Sequence, residues 1–147
     1  MKKLFLIFAS LGMMITSGAL ASETHVVKML NKGSDGTRMV FEPSYLEIQP
    51  GDSVSFVAES KGHNTQSIKK MIPEGAEKWK SKLSKDFEIT FTKEGTYGYK
   101  CAPHYNMGMV GLIVVGDPSG NLDAVMSKKT PGKSKKVFKK LFEQVKQ

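Results

Sequence analysis

The sequence predicts an all-β sandwich or barrel with two short helices at its C-terminal end. Between residues 25 and 116, short runs rich in β-branched and aromatic residues alternate with turn residues. No long helical pattern separates these runs, which argues against a parallel sheet built from βαβ units. After Pro118 the apolar residues recur at helical spacing instead. These three observations fix the expected fold class.

The strand-like runs follow one another in a regular order. The predicted strands are HVVKML (25–30), RMVF (38–41), SYLEI (44–48), SVSFVA (53–58), FEITF (87–91), TYGYKC (96–101) and GLIVV (111–115). The segments NKGSDG, QPGD and TKEG between them are rich in Gly, Pro, Asp and Asn, as turns are. A longer insertion at residues 59–86 contains PEGAEKWKSKL, in which Pro73 suits a first helical turn and Trp79 and Leu83 are four residues apart. We therefore expect a short helix there.

The C-terminal segment predicts two helices. NLDAVMSKK forms the first, Pro131 and Gly132 end it, and KSKKVFKKLFEQVKQ forms the second. One face of the second helix carries its apolar residues: Val137, Phe138, Leu141, Phe142 and Val145. Such a basic amphipathic helix can lie on a membrane. We expect it to pack on the β-domain instead, because lysines are the usual solvated face of a packed helix.

The N-terminal residues have the three-part pattern of a secretory signal peptide. Lys2 and Lys3 precede the apolar run Leu4–Ile15, and Ala19-Leu20-Ala21 fits the small-residue cleavage rule. The apolar run is shorter than the roughly 20 residues that span a bilayer. We expect a signal peptide at 1–21, a β-domain at 22–117 and a helical extension of the same domain at 118–147. The mature protein is then a soluble periplasmic monomer without membrane insertion.

The positive charge is concentrated in two segments. The formal net charge is +8, and residues 128–147 carry eight lysines against Glu143 alone. Residues 61–85 carry seven lysines against two glutamates. The lysines of this block are Lys61, Lys69, Lys70, Lys78, Lys80, Lys82 and Lys85. Export and an otherwise near-neutral body argue against nucleic acid as the partner, so an acidic protein is the partner we expect.

Cys101 lies in the segment KCAPHYNMGM (100–109) and is the chain's single cysteine, so it cannot form an internal disulfide. A nucleophilic role is disfavoured, because Cys101 ends a strand rather than beginning a helix and no oxyanion-forming glycine loop surrounds it. A structural zinc site usually needs several cysteines, and His25 has no ligand-like spacing. Neither class of site suits the segment.

Copper suits it better. Two histidines and one thiolate in a trigonal set, with a weak and long axial methionine, make an electron-transfer copper site. Cys101 and His104 supply two of these ligands from one loop, and His63 in KGHN (61–64) is the candidate for the second histidine. Met107 and Met109 are equally soft ligands, so spacing alone leaves the axial position open between them.

These motifs resemble those of the cupredoxins and, among them, the pseudoazurins, over nearly the whole mature length. The matching stretches are MLNKG (29–33), MVFEP (39–43), PGD (50–52), KGHN (61–64), MIPEGAEKWKSK (71–82), KCAPHYNMGM (100–109) and the two C-terminal helices. The resemblance implies an eight-stranded Greek-key sandwich and one type 1, or blue, copper ion. It implies His63, Cys101, His104 and Met109 as copper ligands, with Met107 as a neighbour. It also implies an electron carrier rather than an enzyme.

The resemblance further implies roles for the residues around the ligands. Asn64 matches the residue whose side chain ties the His63 loop to the ligand loop, although Gly-His-Asn also reads as a simple turn. Pro103 has no N–H and stiffens the loop between Cys101 and His104. The His104 edge is then the expected route for the electron. The patch expected around it is apolar or flexible: Met39, Pro103, Met107 and Gly108.

Partner and role are also expectations from the family. A ring of lysines around the apolar patch would steer an acidic redox protein and hold it briefly. The lysines expected in that ring are Lys61, Lys69, Lys70, Lys78 and Lys80. Pseudoazurins donate electrons to copper nitrite reductase or a related reductase of denitrification or respiration. A periplasmic copper-binding or copper-delivery protein is the alternative.

Overall fold

Two four-stranded sheets face each other in the computed structural model, which describes residues 21–145 and so leaves the predicted signal peptide, up to residue 20, outside. The strands are β1 (Thr24–Lys32), β2 (Arg38–Glu42), β3 (Tyr45–Ile48), β4 (Ser53–Val57), β5 (Gln66–Ser67), β6 (Phe87–Thr90), β7 (Gly95–Lys100) and β8 (Val110–Val115). One sheet has the order β2-β1-β4-β6 and the other the order β3-β8-β7-β5. The pairs β1 with β4 and β3 with β8 are parallel, and the others are antiparallel. The predicted sandwich is confirmed.

The core between the sheets is strongly aromatic. Phe56 on β4 contacts the rings of Phe41, Trp79 and Tyr99, with centroid distances of 6.2, 6.5 and 5.2 Å. Tyr99 is fully buried, and its partner across the β7–β8 ladder is Gly111. A Cβ atom at Gly111 would lie 2.2 Å from the Tyr99 ring. Glycine is therefore required there, and the ring occupies the space that a side chain would fill.

Two helices cover the outer face of the second sheet. They are α1 (Leu122–Met126) and α2 (Ser134–Phe142). Their buried side chains form a second apolar cluster with residues from the sheet and the insertion: Ile68, Met71, Val110, Leu112, Val125, Phe138 and Leu141. All six residues of β8 are buried, because this cluster covers one face of the strand and the inter-sheet core covers the other. The predicted packing of the second C-terminal helix on the β-domain is thus confirmed.

The short helix predicted within the insertion is wrong. Residues 73–83 are irregular, and Leu83 is 56% exposed while Trp79 is buried. The backbone pairs with β5 instead: the Ser67 N–H donates to the Trp79 carbonyl at 3.1 Å, and the Ser81 N–H donates to the Thr65 carbonyl at 2.9 Å. Extended pairing of this kind uses groups that a helix would need for its own ladder. The same pairing explains why sequence patterns missed the two-residue strand β5.

No helix within residues 21–145 is both long and apolar enough to cross a bilayer.

Asp52 fastens the start of β1 to the turn before β4 and gives a pH-dependent prediction. Its carboxylate accepts the N–H groups of Glu23 at 2.9 Å and Gln49 at 3.0 Å and contacts the His25 ring at 3.0 Å. The backbone donors, Glu23 first, lower the pKa of Asp52 from 3.8 to about 2. Because the folded-state pKa is the lower one, the stabilisation is complete above 3.8 and is lost as pH falls through about 2.

Acid titration of the metal-free protein checks this prediction. We expect the free energy of unfolding, measured with urea, to fall steeply in the wild type across that pH interval. Asp52→Asn has no such proton to take up, so its free energy of unfolding should depend less on pH. Equal pH slopes for the two proteins would contradict this role for Asp52.

Candidate metal centre

Three donor atoms converge where the two sheets meet the ligand loop. The Nδ1 atoms of His63 and His104 are 3.1 Å apart, and they lie 3.7 and 3.5 Å from the Cys101 Sγ. His63 and Cys101 are fully buried, whereas His104 is half-buried. Two nitrogens and one sulfur thus form a compact triangle of possible metal donors. The structure therefore brings together three of the four ligands expected from the sequence.

Asn31 orients the His63 ring, a role that the sequence analysis missed. Its Oδ1 lies 2.8 Å from the His63 Nε2, on the side of the ring away from Cys101. The amide oxygen can only accept, so Nε2 carries the proton and Nδ1 presents its lone pair to the cluster. The His63 backbone is fixed as well, because its carbonyl accepts the Ser84 N–H at 2.8 Å. Asn31 lies in MLNKG (29–33), but no spacing pattern connects β1 with a histidine 32 residues later.

The ligand loop is a short closed connection between β7 and β8. The Cys101 N–H donates to the Met109 carbonyl at 3.0 Å, which brings the two ends of the loop together. A 3-10 turn at Tyr105–Met107 lies between them. The His104 carbonyl accepts the N–H groups of Met107 and Met109 at 3.1 and 3.2 Å. The backbone therefore turns back on itself between His104 and Met109 and holds both close to Cys101.

The two methionines of the loop have different surroundings. Met109 is fully buried in the same core cluster as Cys101. Met107 is 48% exposed. A weak axial ligand must be shielded from water and directed inward. The difference in burial favours Met109, which spacing alone did not distinguish from Met107.

Asn64 joins the His63 loop to the ligand loop. Its Oδ1 accepts the Ala102 N–H at 2.8 Å, and its Nδ2 donates to the Ser81 carbonyl at 3.4 Å. The side chain is buried, so both bonds replace contacts with water. Pro103, the next residue in the loop, is exposed. Asn64 thus connects the loop that follows Cys101 to the insertion that carries His63.

The protonation of the cluster follows from its burial. Burial lowers the pKa of His63, with the neighbouring His104 acting in the same direction, so its imidazole stays neutral and free to bind. Burial raises the pKa of the Cys101 thiol, while the backbone N–H groups of Asn64 and His104 act to lower it. A buried thiolate needs a compensating positive charge. A bound cation supplies that charge.

The donor set fits copper and not structural zinc. One thiolate, two imidazoles and a buried thioether are the ligands of an electron-transfer copper site. Structural zinc sites are four-coordinate, take their ligands from cysteine and histidine, and seldom use methionine. Within residues 21–145 a second group of donors is formed by Glu23, His25 and Asp52. Both Asp52 carboxylate oxygens already accept backbone N–H groups. His25 is accordingly explained by its contact with Asp52.

The fold and this donor set define a cupredoxin with a single type 1 copper site. The family model of copper-binding proteins of the plastocyanin/azurin family matches residues 27–116. A pseudoazurin from Paracoccus pantotrophus is 50% identical over 112 residues, which cover 76% of this chain and 77% of that protein. The chain belongs to the pseudoazurin family. It binds copper as an electron carrier and is not an enzyme.

Solved structures agree in fold. The pseudoazurin of Methylobacterium extorquens AM1 superimposes with a TM-score of 0.80 at 46% identity and covers 84% of this chain and 99% of its own. The pseudoazurin of Hyphomicrobium denitrificans gives a TM-score of 0.81 at 42% identity, with the same two coverages. The predicted family and its all-β fold with two C-terminal helices are thus confirmed.

Asn31→Ala is expected to weaken copper binding. The substitution removes the acceptor that fixes the His63 tautomer and ring plane, and loss of such a partner typically lowers metal affinity about 10- to 100-fold. Competition with a chelator of known affinity measures the change. Asn121→Ala is the matched control, because Asn121 Oδ1 also accepts a bond of 2.8 Å, from the Thr96 N–H at the helical extension. Equal copper affinities for the two variants would contradict the role of Asn31.

Proposed function

We propose that this chain is an exported one-electron carrier in which His63, Cys101, His104 and Met109 hold the copper ion. The observation that carries the proposal is the convergence of two Nδ1 atoms and one Sγ within 3.7 Å of one another in a site closed by the core. Copper in such a site supplies reversible one-electron chemistry. Met109, buried beside Cys101, completes the set as the axial ligand.

The residues of the site keep its geometry constant. His63 and Cys101 are fully buried, so water has no access from the core side. Asn31 fixes one ring, and Asn64 fixes the backbone after Cys101. A rigid, dry site limits the rearrangement that accompanies a change of charge, and limited rearrangement favours fast electron transfer. The same closure leaves little room for a substrate, in agreement with a carrier.

His104 is the proposed route for the electron. It is the least buried of the three residues, being half-buried, while His63 and Cys101 are fully buried. Around it, Pro103 and Met107 are exposed and Gly108 is half-buried. Met39 is also half-buried and packs against the core cluster that contains Cys101. These residues form the proposed apolar contact patch, which a partner would cover while the electron passes.

Strand pairing suggests which lysines lie closest to this patch. Gln66 pairs with Lys80 on one side and with Lys100 on the other. Lys100 directly precedes Cys101, so both lysines lie near the start of the ligand loop. Lys61 lies two residues before His63 and is exposed. Lys69 and Lys70 follow Ile68, whose N–H donates to the Gly98 carbonyl. Gly98 lies three residues before Cys101, which is about 10 Å away along the strand. We therefore propose Lys61, Lys80 and Lys100 as the main docking charges, with Lys69, Lys70 and Lys78 further out.

The proposed partner is an acidic redox protein, with copper nitrite reductase or a related reductase of denitrification or respiration as the named candidate. Positive charge around an apolar patch speeds the encounter with an acidic surface without making a long-lived complex. We also propose that the chain acts as a soluble monomer in the periplasm after cleavage behind Ala21. The mature chain then comprises the β-domain at 22–117 and its helical extension at 118–147.

Copper retention during redox cycling separates the carrier from the copper-delivery alternative. The copper-loaded protein is reduced and reoxidised repeatedly in the presence of a Cu(I) chelator. We expect copper and absorbance to be retained, because the ligands come from a closed loop and a buried histidine. A delivery protein would lose its copper to the chelator in the first reduced phase. That loss would overturn the proposal.

A further inference from the structure

The first turn of α2 is in direct contact with the ligand loop. The Ser134 hydroxyl donates to the Tyr105 carbonyl, and the Lys133 N–H donates to the Asn106 carbonyl at 3.0 Å. Both acceptors belong to the 3-10 turn between His104 and Met109. We call this contact, made by residues 132–134 on one side and residues 105 and 106 on the other, the α2 junction. It connects the C-terminal extension to the loop that carries the copper ligands.

The α2 junction is closely packed at its glycines. Gly132 has a φ of +53°, and a Cβ atom there would lie 2.4 Å from the Asn106 carbonyl oxygen. On the other side of the turn, a Cβ atom on Gly108 would lie 3.1 Å from the Val137 side chain. Ser134 is fully buried, so water cannot replace its hydroxyl. Movement of the loop away from α2 would break the hydrogen bond from the fully buried Ser134, and movement toward α2 would bring the Asn106 carbonyl against Gly132.

The α2 junction restrains the part of the loop that the strands leave unsupported. Strand β7 ends at Lys100 and β8 begins at Val110, so ladder hydrogen bonds fix the two ends of the loop. The turn at Tyr105–Met107 projects between them and carries His104 on one flank and Met109 on the other. Its carbonyls at Tyr105 and Asn106 are held by α2. The helix is a third fixed point for the loop.

We propose that Ser134 is a positioning residue for the copper site: through the Tyr105 carbonyl it holds the spacing between His104 and Met109 before the metal binds. This inference rests on the ligand set proposed above. It gives the C-terminal extension a role in electron transfer, because a loop held in place by the protein does not need to reorganise around the metal. A purely structural Ser134 would instead support only the packing of α2.

Hydrogen exchange in the metal-free protein tests the inference without copper. In Ser134→Ala we expect the amides of Met107 and Met109 to exchange about fivefold faster than in the wild type, since a buried hydrogen bond that opposes loop opening is gone. Ser127→Ala is the matched control. Its hydroxyl also donates to a backbone carbonyl, that of Asp123 at 2.7 Å, but at the C-terminal end of α1. We expect loop exchange in Ser127→Ala to equal that of the wild type.

Copper release gives the second readout. We expect the copper-loaded Ser134→Ala protein to transfer copper to a chelator about fivefold faster than the wild type, with an altered visible spectrum. Wild-type exchange and release rates in Ser134→Ala, together with a lowered unfolding midpoint, would overturn the inference. If Ser134→Ala does not fold, Val137→Ala loosens the packing of α2 against Gly108 on the other side of the same turn, at a half-buried position, and is judged by the same criteria. A wild type without a coloured copper site would overturn the proposed function, while the metal-free exchange experiment would still decide the role of the α2 junction.

Discussion

Cys101→Ser is expected to abolish the intense visible absorption of the oxidised copper protein. That band requires a thiolate bound to Cu(II). Among residues 21–145 the free cysteine is Cys101, so Cys101 must supply the thiolate. A serine hydroxyl is not ionised at neutral pH and is a hard donor, so it provides neither the charge transfer nor the negative charge. The proposed ligands His63 and Cys101 are both fully buried, so the site is expected to tolerate this change poorly. We expect copper affinity to fall by at least about 100-fold as well.

Met107→Leu is the control for this substitution. Met107 lies in the same loop but is 48% exposed, and its thioether is not proposed to bind copper. The variant should keep the absorption band and its reversible bleaching on reduction. Met109→Leu removes the proposed axial ligand and should change the band without abolishing it, since Cys101 remains. Absorption that persists in Cys101→Ser would mean that the ligand assignment is wrong.

Reversing the charge of Lys61 and Lys80 is expected to slow electron delivery to an acidic partner by about tenfold at low ionic strength. Both lysines are exposed and lie at the end of the sandwich where the ligand loop is found. The variant Lys61→Glu with Lys80→Glu turns attraction into repulsion at that surface. Stopped-flow mixing of the reduced protein with oxidised copper nitrite reductase measures the second-order rate constant at several salt concentrations.

The matched control places the same charge change on the C-terminal helix. Lys135 and Lys139 are exposed residues of α2, and Lys135→Glu with Lys139→Glu gives the same net charge as the first variant. If docking takes place around His104, the second-order rate constant of this second variant should fall much less than that of the first. At high salt the rate constants of the wild type and the two variants should become similar, because screening weakens electrostatic steering over distances beyond the Debye length. Equal losses in the two variants would show that net charge, not the proposed patch, controls the encounter.

Local sequence patterns were sufficient for most of the fold. Alternating apolar residues and turn residues marked seven of the eight strands, and helical spacing marked α2 with its buried Phe138 and Leu141. They failed in the insertion. There Trp79 and Leu83 mimic a helical face, yet pairing with Gln66 and Ser67 keeps the backbone extended. Long-range pairing of this kind leaves no periodic signal, so the short strand β5 was missed and a helix was wrongly predicted.

At the candidate site, too, local sequence patterns indicated some residues and missed those that act through long-range contacts. The loop from Cys101 to Met109 could be singled out because its proposed ligands are neighbours in sequence, and His63 became a candidate because it follows a recognisable strand. Asn31 and Ser134 act from remote segments through one hydrogen bond each, to the His63 ring and to the Tyr105 carbonyl. Neither residue type is unusual at its position. Only the fold brings them to the His63 ring and the Tyr105 carbonyl.

The visible spectrum of the purified protein, loaded with Cu(II), tests the central claim most directly. We expect one copper ion per chain and an intense thiolate-to-Cu(II) absorption band that bleaches on reduction with ascorbate and returns on reoxidation with ferricyanide. Such a band requires a thiolate bound to Cu(II), which the proposed site supplies from Cys101 beside the imidazoles of His63 and His104. A colourless protein that binds only Cu(I) or Zn²⁺ would mean that the chain has no type 1 copper site.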